Sequence, residues 1–195
     1  MYVISDGTGT GSQTKVDAGN RVHTYAISQD LIFEAARNGE AYNIATGNIT
    51  LTSSNASAIL YLKNTGVRDI ILTQIQASSG PAIGGLGGPV TGIIYKNVTG
   101  GTIISSAVDV DGNTNVNFGS SKVLPADAYK GAEGNTVTGG SIASAIVIPE
   151  SVSFTTETFS FFPKDTSIAF EITPPAGNTS FTTNITLTVY LDPEV

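Results

Sequence analysis

The sequence predicts an all-β domain, a jelly-roll-like antiparallel β-sandwich with one short helix and an extended N-terminal arm. Three observations point there. From Tyr42 onward apolar residues recur with a period of two in short Thr- and Ile-rich runs, separated by Gly, Asn, Asp and Ser. Roughly nine to eleven such runs can be counted, at the even spacing of a two-sheet sandwich, and no repeat of about 20 to 50 residues suggests a solenoid. The chain of 195 residues is 40% hydrophobic and only 13% charged, so it can bury a sizeable core, and Thr, Ser and Asn must cover most of its surface.

Residues 1–20 read as the arm. The stretch SDGTGTGSQTKVDAGN at 5–20 has almost no apolar side chains, and a segment of that kind gains order only by lying against its own domain or a neighbour. The β-domain, 21–195, opens with VHTYAISQ at 22–29, read as a strand. A helix follows near 29–37: Ser28 or Asp30 can cap it, Leu31, Ile32, Ala35 and Ala36 recur at helical spacing, and Asn38-Gly39 supplies a left-handed stop. Two turns are marginal alone in water, so this helix must pack on a sheet.

The strand runs come next. YNIATGNITLT carries a turn signal at Thr46-Gly47, ASAILYLKN sets Ala58, Leu60 and Leu62 on one face, and Asn64-Thr65-Gly66 turns into VRDIILTQIQA. The glycine-rich stretch 78–92 is a long loop. TGIIYKNV and GTIISSAVDV are read as strands joined at Thr99-Gly100-Gly101, Asp111-Gly112 as a hairpin turn into NTNVNFGS, and 124–140 as a second irregular excursion. At the end of the chain Ile185, Leu187, Val189 and Leu191 alternate against Thr186, Thr188 and Tyr190, which marks the first four as core.

Several function classes are excluded on composition. The nine Lys and Arg are scattered singly under a formal net charge of −7, which does not build a nucleic-acid groove. The longest apolar run, IASAIVI at 142–148, is far short of the ~20 residues that span a bilayer, so no membrane partner is expected. Residues 1–20 lack a basic start followed by an apolar stretch, so folding in a cytoplasm is expected. With one His and no Cys, a nitrogen- or sulfur-rich metal site cannot be built.

The remaining chemical signals are each answered by a plainer reading. His23, between Val22 and Thr24, has no obvious Ser-His-Asp order nearby in sequence, only distant partners being left to it, and reads as a hydrogen-bonded structural histidine. Asp109, Asp111 and Asn113 in DVDGN alternate like the start of a calcium loop, but Gly112 stands fourth instead of sixth and Ser120 replaces the closing Glu. They are at most weak oxygen ligands. The 80–92 loop lacks the GK[ST] ending of a phosphate cradle. Dispersed acids and the absence of Trp argue against a glycoside hydrolase. The expectation is therefore a non-enzyme without cofactor. Phe154, Phe159, Phe161 and Phe162 gather half of the phenylalanines into nine residues, as an aromatic core plug or a subunit interface; at strand spacing Phe161 and Phe162 face opposite ways. Phe159, Phe161 and Phe162, with Tyr2, Val3 and Ile4 at the start of the arm, are the interface candidates.

Residues 14–72 are similar to an opening found in virion structural proteins of tailed bacteriophages. The marks are Arg21-Val22-His23, the short helix before Asn38-Gly39, Ala41-Tyr42-Asn43-Ile44, Leu51-Thr52 and the run Ala58-Ile59-Leu60-Tyr61-Leu62-Lys63-Asn64. The resemblance covers about a third of the chain. It implies a jelly-roll capsid decoration (cement) protein, made in the host cytoplasm and carried on the capsid surface of the virion. Its partners would be the major capsid protein and itself, as a homotrimer, with no catalytic residue carried over. The same opening also fits a tail-fibre or receptor-binding module that recognises host glycan or protein through the loops at 78–92 and 124–140, with Tyr95 and Tyr129 available to stack on sugar.

Overall fold

The computed structural model describes residues 31–80, 83, 89–110, 112–148 and 153–193. The arm, His23, the strand expected at 22–29 and the capping residues Ser28 and Asp30 lie outside them. A seven-residue helix, α1 (Leu31–Arg37), comes first. Twelve strands follow: β1 (Ala41–Ala45), β2 (Ile49–Leu51), β3 (Ser57–Asn64), β4 (Ile70–Ser79), β5 (Val90–Lys96), β6 (Val108–Asp109), β7 (Gly112–Asn115), β8 (Ala126–Lys130), β9 (Ser141–Ile148), β10 (Ser153–Phe162), β11 (Ser167–Thr173) and β12 (Phe181–Leu191).

Helix α1 ends as its sequence requires. Gly39 takes a left-handed φ of 70°, its N–H reaches the Ala36 carbonyl at 3.1 Å, and the Glu40 N–H reaches back to Ala35 at 2.7 Å. This paired closure satisfies carbonyls that the helix leaves open, and glycine adopts it at no steric cost. Ile32, Ala35 and Ala36 pack on Ala41, Ile71 and Tyr190 of the sheet beneath, while Leu31 is exposed.

Every strand pairing is antiparallel. One six-stranded sheet runs β10-β4-β12-β1-β7, with β2 also on β12; the other runs β6-β8-β3-β11-β5-β9. The chain pairs concentrically: β1 with β12, β3 with β11, β4 with β10, β5 with β9. That is one long hairpin, folded over at the segment between β5 and β9. Rolling it up adds the pairs β4·β12 and β5·β11, and the result is a jelly roll. Strands β6, β7 and β8 are an insertion at the fold of the hairpin, and they extend both sheets on the side of β1 and β3.

The core lies between the sheets. Ile185, Leu187, Val189 and Leu191 are buried as their alternation predicts. Two strands change phase midway, which a count of periods cannot foresee. On β3 the partners of Phe170 and Glu171 jump from Leu60 to Ala58, so Ile59 is a bulge. Leu60 and Leu62 therefore face the main core, whereas Ala58, expected beside them, joins Tyr61, Val98, Ile103 and Ala169 in a second cluster. On β4 a register shift at Thr73 similarly lets Ile70 and Leu72 and then Ile75 and Ala77 all face inward.

Four further departures follow from packing and pairing. GTIISSAVDV is not a long strand: Thr102–Ile104 is a 3-10 turn that buries Ile103 in that cluster, and only Val108–Asp109 pair. Within 124–140 the segment Ala126–Lys130 is a strand on β3. Asp111-Gly112 does not close a hairpin, because β6 pairs with β8 in one sheet and β7 with β1 in the other. Thr46-Gly47 does not reverse the chain either. The Ile185 N–H donates to Thr46 Oγ1 at 3.0 Å, so β1 and β2 continue along the same neighbour, β12.

Candidate functional site

Each sheet has two edges, and an edge strand presents unpaired N–H and C=O groups that can pair with another chain unless something blocks them. Of the five described strands that pair on one side only, four carry a block. β2 is merely three residues long. β6 is two residues long and ends in Asp109; β7 is the polar GNTN; β10 carries Glu157 and loses register between Glu157 and Ser160. β9 is different. Its eight residues, SIASAIVI, contain no charge and no proline, and among the described residues it pairs on one side only, with β5. Its single irregularity, at Ala143, lies near its start and leaves Ser144 to Ile148 in register.

Both faces of this strand can be read from the register. Ser144 pairs with Ile94 and Ile146 with Gly92, on the face turned to the core. Ile142, Ala145 and Val147 pair with Tyr95, Ile93 and Thr91 on the outer face, where Ile142 is 61% and Val147 66% exposed. The longest apolar run of the sequence is thus an exposed edge.

Behind it the sandwich is open. A cavity of about 450 Å³ lies between β9 and β10, lined by Leu72, Ile75, Ile94, Ile146 and Phe162, with Lys96 and Glu157 also on its wall. The last two phenylalanines of β10 divide as expected: Phe162 is 7% exposed and belongs to the core, and Phe161 is 62% exposed. Phe161 stands opposite Ile71 on the outer face of its sheet, at the same open side of the sandwich as β9. Tyr2, Val3 and Ile4, and the side chains of Phe154 and Phe159, lie outside the described residues.

The other sequence candidates do not converge. Asp109 and Asp127 line a small hollow of about 280 Å³ together with Tyr129, but Asn113 sits on β7 in the other sheet, and Asp111 lies outside the described residues. Among the described residues no group of three or more His, Cys, Asp or Glu is placed to hold a metal ion. Tyr95 and Tyr129, read as sugar-stacking residues, pack against the second cluster instead. The Tyr129 ring stacks on Tyr61 with centroids 5.8 Å apart, and the Tyr95 hydroxyl donates to Glu171 Oε1 at 3.2 Å. Burial first, then Asp127 and Asp109, raises the Tyr129 phenol above its ordinary value, and burial first, then Glu171, raises Tyr95. Of the glycine-rich loop only its ends and Ile83 are described, and Ile83 bridges to Ser180.

No protein-family model matches the chain, and no curated protein matches it. Among solved structures it is similar to the VP2 protein of infectious bursal disease virus. A mutant VP2 in T=1 particles is 10% identical, with 92% of this chain and 44% of that chain covered and a TM-score of 0.18. A second T=1 particle structure gives 11% identity, 92% and 44% coverage and a TM-score of 0.19, and a VP2 subviral particle gives 8%, 79%, 42% and 0.16. The chain spans less than half the length of those chains, and at such scores the likeness carries no functional inference.

Proposed function

We propose that the chain is a structural component of a virion, and specifically a decoration protein that binds the outer surface of a tailed-phage capsid, with the major capsid protein as its partner. The observation that carries this reading is the edge strand β9: eight residues with neither charge nor proline that pair on one side only among the described residues, a surface suited to protein contact. The resemblance at residues 14–72 directs that contact to a phage particle. Its described part, 31–72, supplies α1, then β1, β2 and the start of β4 to one sheet and β3 to the other. In this role no catalytic group, nucleic acid or membrane is involved. Contacts repeated over a shell stabilise it collectively, at about 25 cal/mol per Å² of apolar surface removed from water.

The reading is tested by heating particles purified with and without the protein. Particles lacking it should release their DNA at a lower temperature, and adding the purified chain should restore the loss; equal release temperatures would sink the cement role. The tail-fibre alternative would use Tyr95 and Tyr129, both half-buried, with Tyr129 stacked on Tyr61 by one face and Tyr95 bonded to Glu171.

A further inference from the structure

We infer that β9 is the pairing edge between two copies of this chain, which join antiparallel about a two-fold axis at Ala145 and continue the sheet β6-β8-β3-β11-β5-β9 from one copy into the other. The inference deepens the virion reading and rests on it for β9 as a surface of protein contact: it names the occupant of that edge as a second copy, in a two-fold dimer in place of the homotrimer that the resemblance implies, and leaves the capsid to other surfaces of the pair, so failure to dimerise and failure to bind the capsid are separate outcomes.

The occupant is argued from three features. The first is the absence of charge. A strand from an unrelated partner is selected by side chains that complement it, and Ser141–Ile148 offers no charge to meet one. An uncharged antiparallel edge is complementary to itself, which is the requirement of an isologous contact. A two-fold at Ala145 sets Ile146 opposite Ser144, large against small, Val147 against the bulged Ala143, and Ile148 against Ile142 at the ends, so no charge meets any residue across the axis.

The second feature is area. Eight residues at about 3.4 Å each make an edge about 27 Å long, and two sheets about 10 Å apart with their outer side chains make it about 20 Å deep. Two such edges remove on the order of 1,100 Å² from water, just above the roughly 1,000 Å² that a stable interface needs. The third is what lies beside the strand. Ile142 and Val147 on one sheet and Phe161 on the other are exposed at the same open side of the sandwich, so the contact would cover apolar surface on both layers.

The test uses the full chain, whose lack of cysteine gives a silent background for cross-linking. Light scattering across concentration should find twice the 20.0 kDa mass of the chain. The double variant Ile142→Lys/Val147→Lys alters only outward-facing exposed positions, so it should keep the wild-type circular dichroism while running as a monomer, because the two-fold axis brings the added lysines of both copies together, and its melting temperature should match that of wild type diluted to the monomer. Ala145→Cys should form a disulfide-linked dimer under mild oxidation, since residues directly opposed in an antiparallel pair stand about 4.5–5.5 Å apart at Cα, within the reach of a disulfide. A chain that is monomeric at every concentration leaves the edge to a strand from another protein and overturns the proposal. So does an oligomer that survives the two lysines, or an Ala145→Cys variant that does not cross-link.

Discussion

Arg68 holds Glu40 in a two-pronged grip: Nη1 and Nη2 of the guanidinium each donate to a different carboxylate oxygen at 3.0 Å. The same arginine donates from Nε to the Asp192 carbonyl at 2.7 Å, and Lys122 reaches Glu40 Oε1 at 3.0 Å. The end of α1, the β3–β4 turn and the end of β12 are thus tied at one corner.

This clasp predicts acid sensitivity. The Arg68 hydrogen bonds, chiefly, and Lys122 hold the Glu40 carboxyl down at about 2, from 4.5, against the opposing effect of burial. A carboxyl whose pKa is lowered in the folded state contributes stability that is fully present above its unfolded pKa and is lost as pH falls through the folded one. The loss therefore falls between about pH 4.5 and pH 2. It amounts to at most about 3 kcal/mol, and to less where solvent screens the half-exposed Lys122 arm. Urea unfolding of the wild type and Glu40→Gln should converge as pH falls from 7 to 2; parallel curves would contradict the account.

Asn64 predicts a larger and pH-independent loss. Its buried side-chain nitrogen donates to the carbonyls of Phe162 at 2.7 Å and Arg68 at 2.8 Å, and its oxygen accepts the Gly66 N–H at 2.8 Å. Asn64→Leu fills the space but strands these groups, so denaturant titration should show a loss of about 2–4 kcal/mol.

Phe161 and Phe162 should separate cleanly. Phe162→Ala empties a core position and should cost about 3–5 kcal/mol, whereas Phe161→Ala at an exposed site should change monomer stability by less than about 0.5 kcal/mol. Thermal melts of the two variants check this, and equal losses would mean that the inward and outward assignment is wrong.

Gly131 predicts a steric limit. A Cβ there would clash with the Ala58 carbonyl oxygen, with Ile103 Cδ1 at 2.8 Å. Backbone cannot yield as a flexible side chain can, so Gly131→Ala should destabilise by about 1–3 kcal/mol or more, seen as a lowered denaturant midpoint.

Much of the frame could be read from residue order alone. The clean alternation of β12, the Asn38-Gly39 helix stop and the opposed faces of Phe161 and Phe162 depend on local geometry, and local geometry is what sequence spacing encodes. The face of Ala58 was not legible, because the bulge at Ile59 is decided by how β3 meets β11, a contact more than a hundred residues away in sequence. Ala126–Lys130 escaped because ADAYK carries no β-branched residue and is a strand only by pairing with β3. Thr102–Ile104 misled in the opposite direction: two isoleucines suggest a strand, but one of them, Ile103, is drawn into the second cluster by a 3-10 turn. The candidate site was hardest to see. IASAIVI looks like interior, and only the sheet order shows that nothing among the described residues lies on its far side. A signal did exist, since an apolar run with neither charge nor proline is conspicuous when every other edge has one or is short.

The most direct measurement of the central claim is a difference image between complete particles and particles lacking this protein. The account predicts extra density on the outside of the capsid, seated on the major capsid protein. Density confined to the tail, or no difference at all, would contradict it.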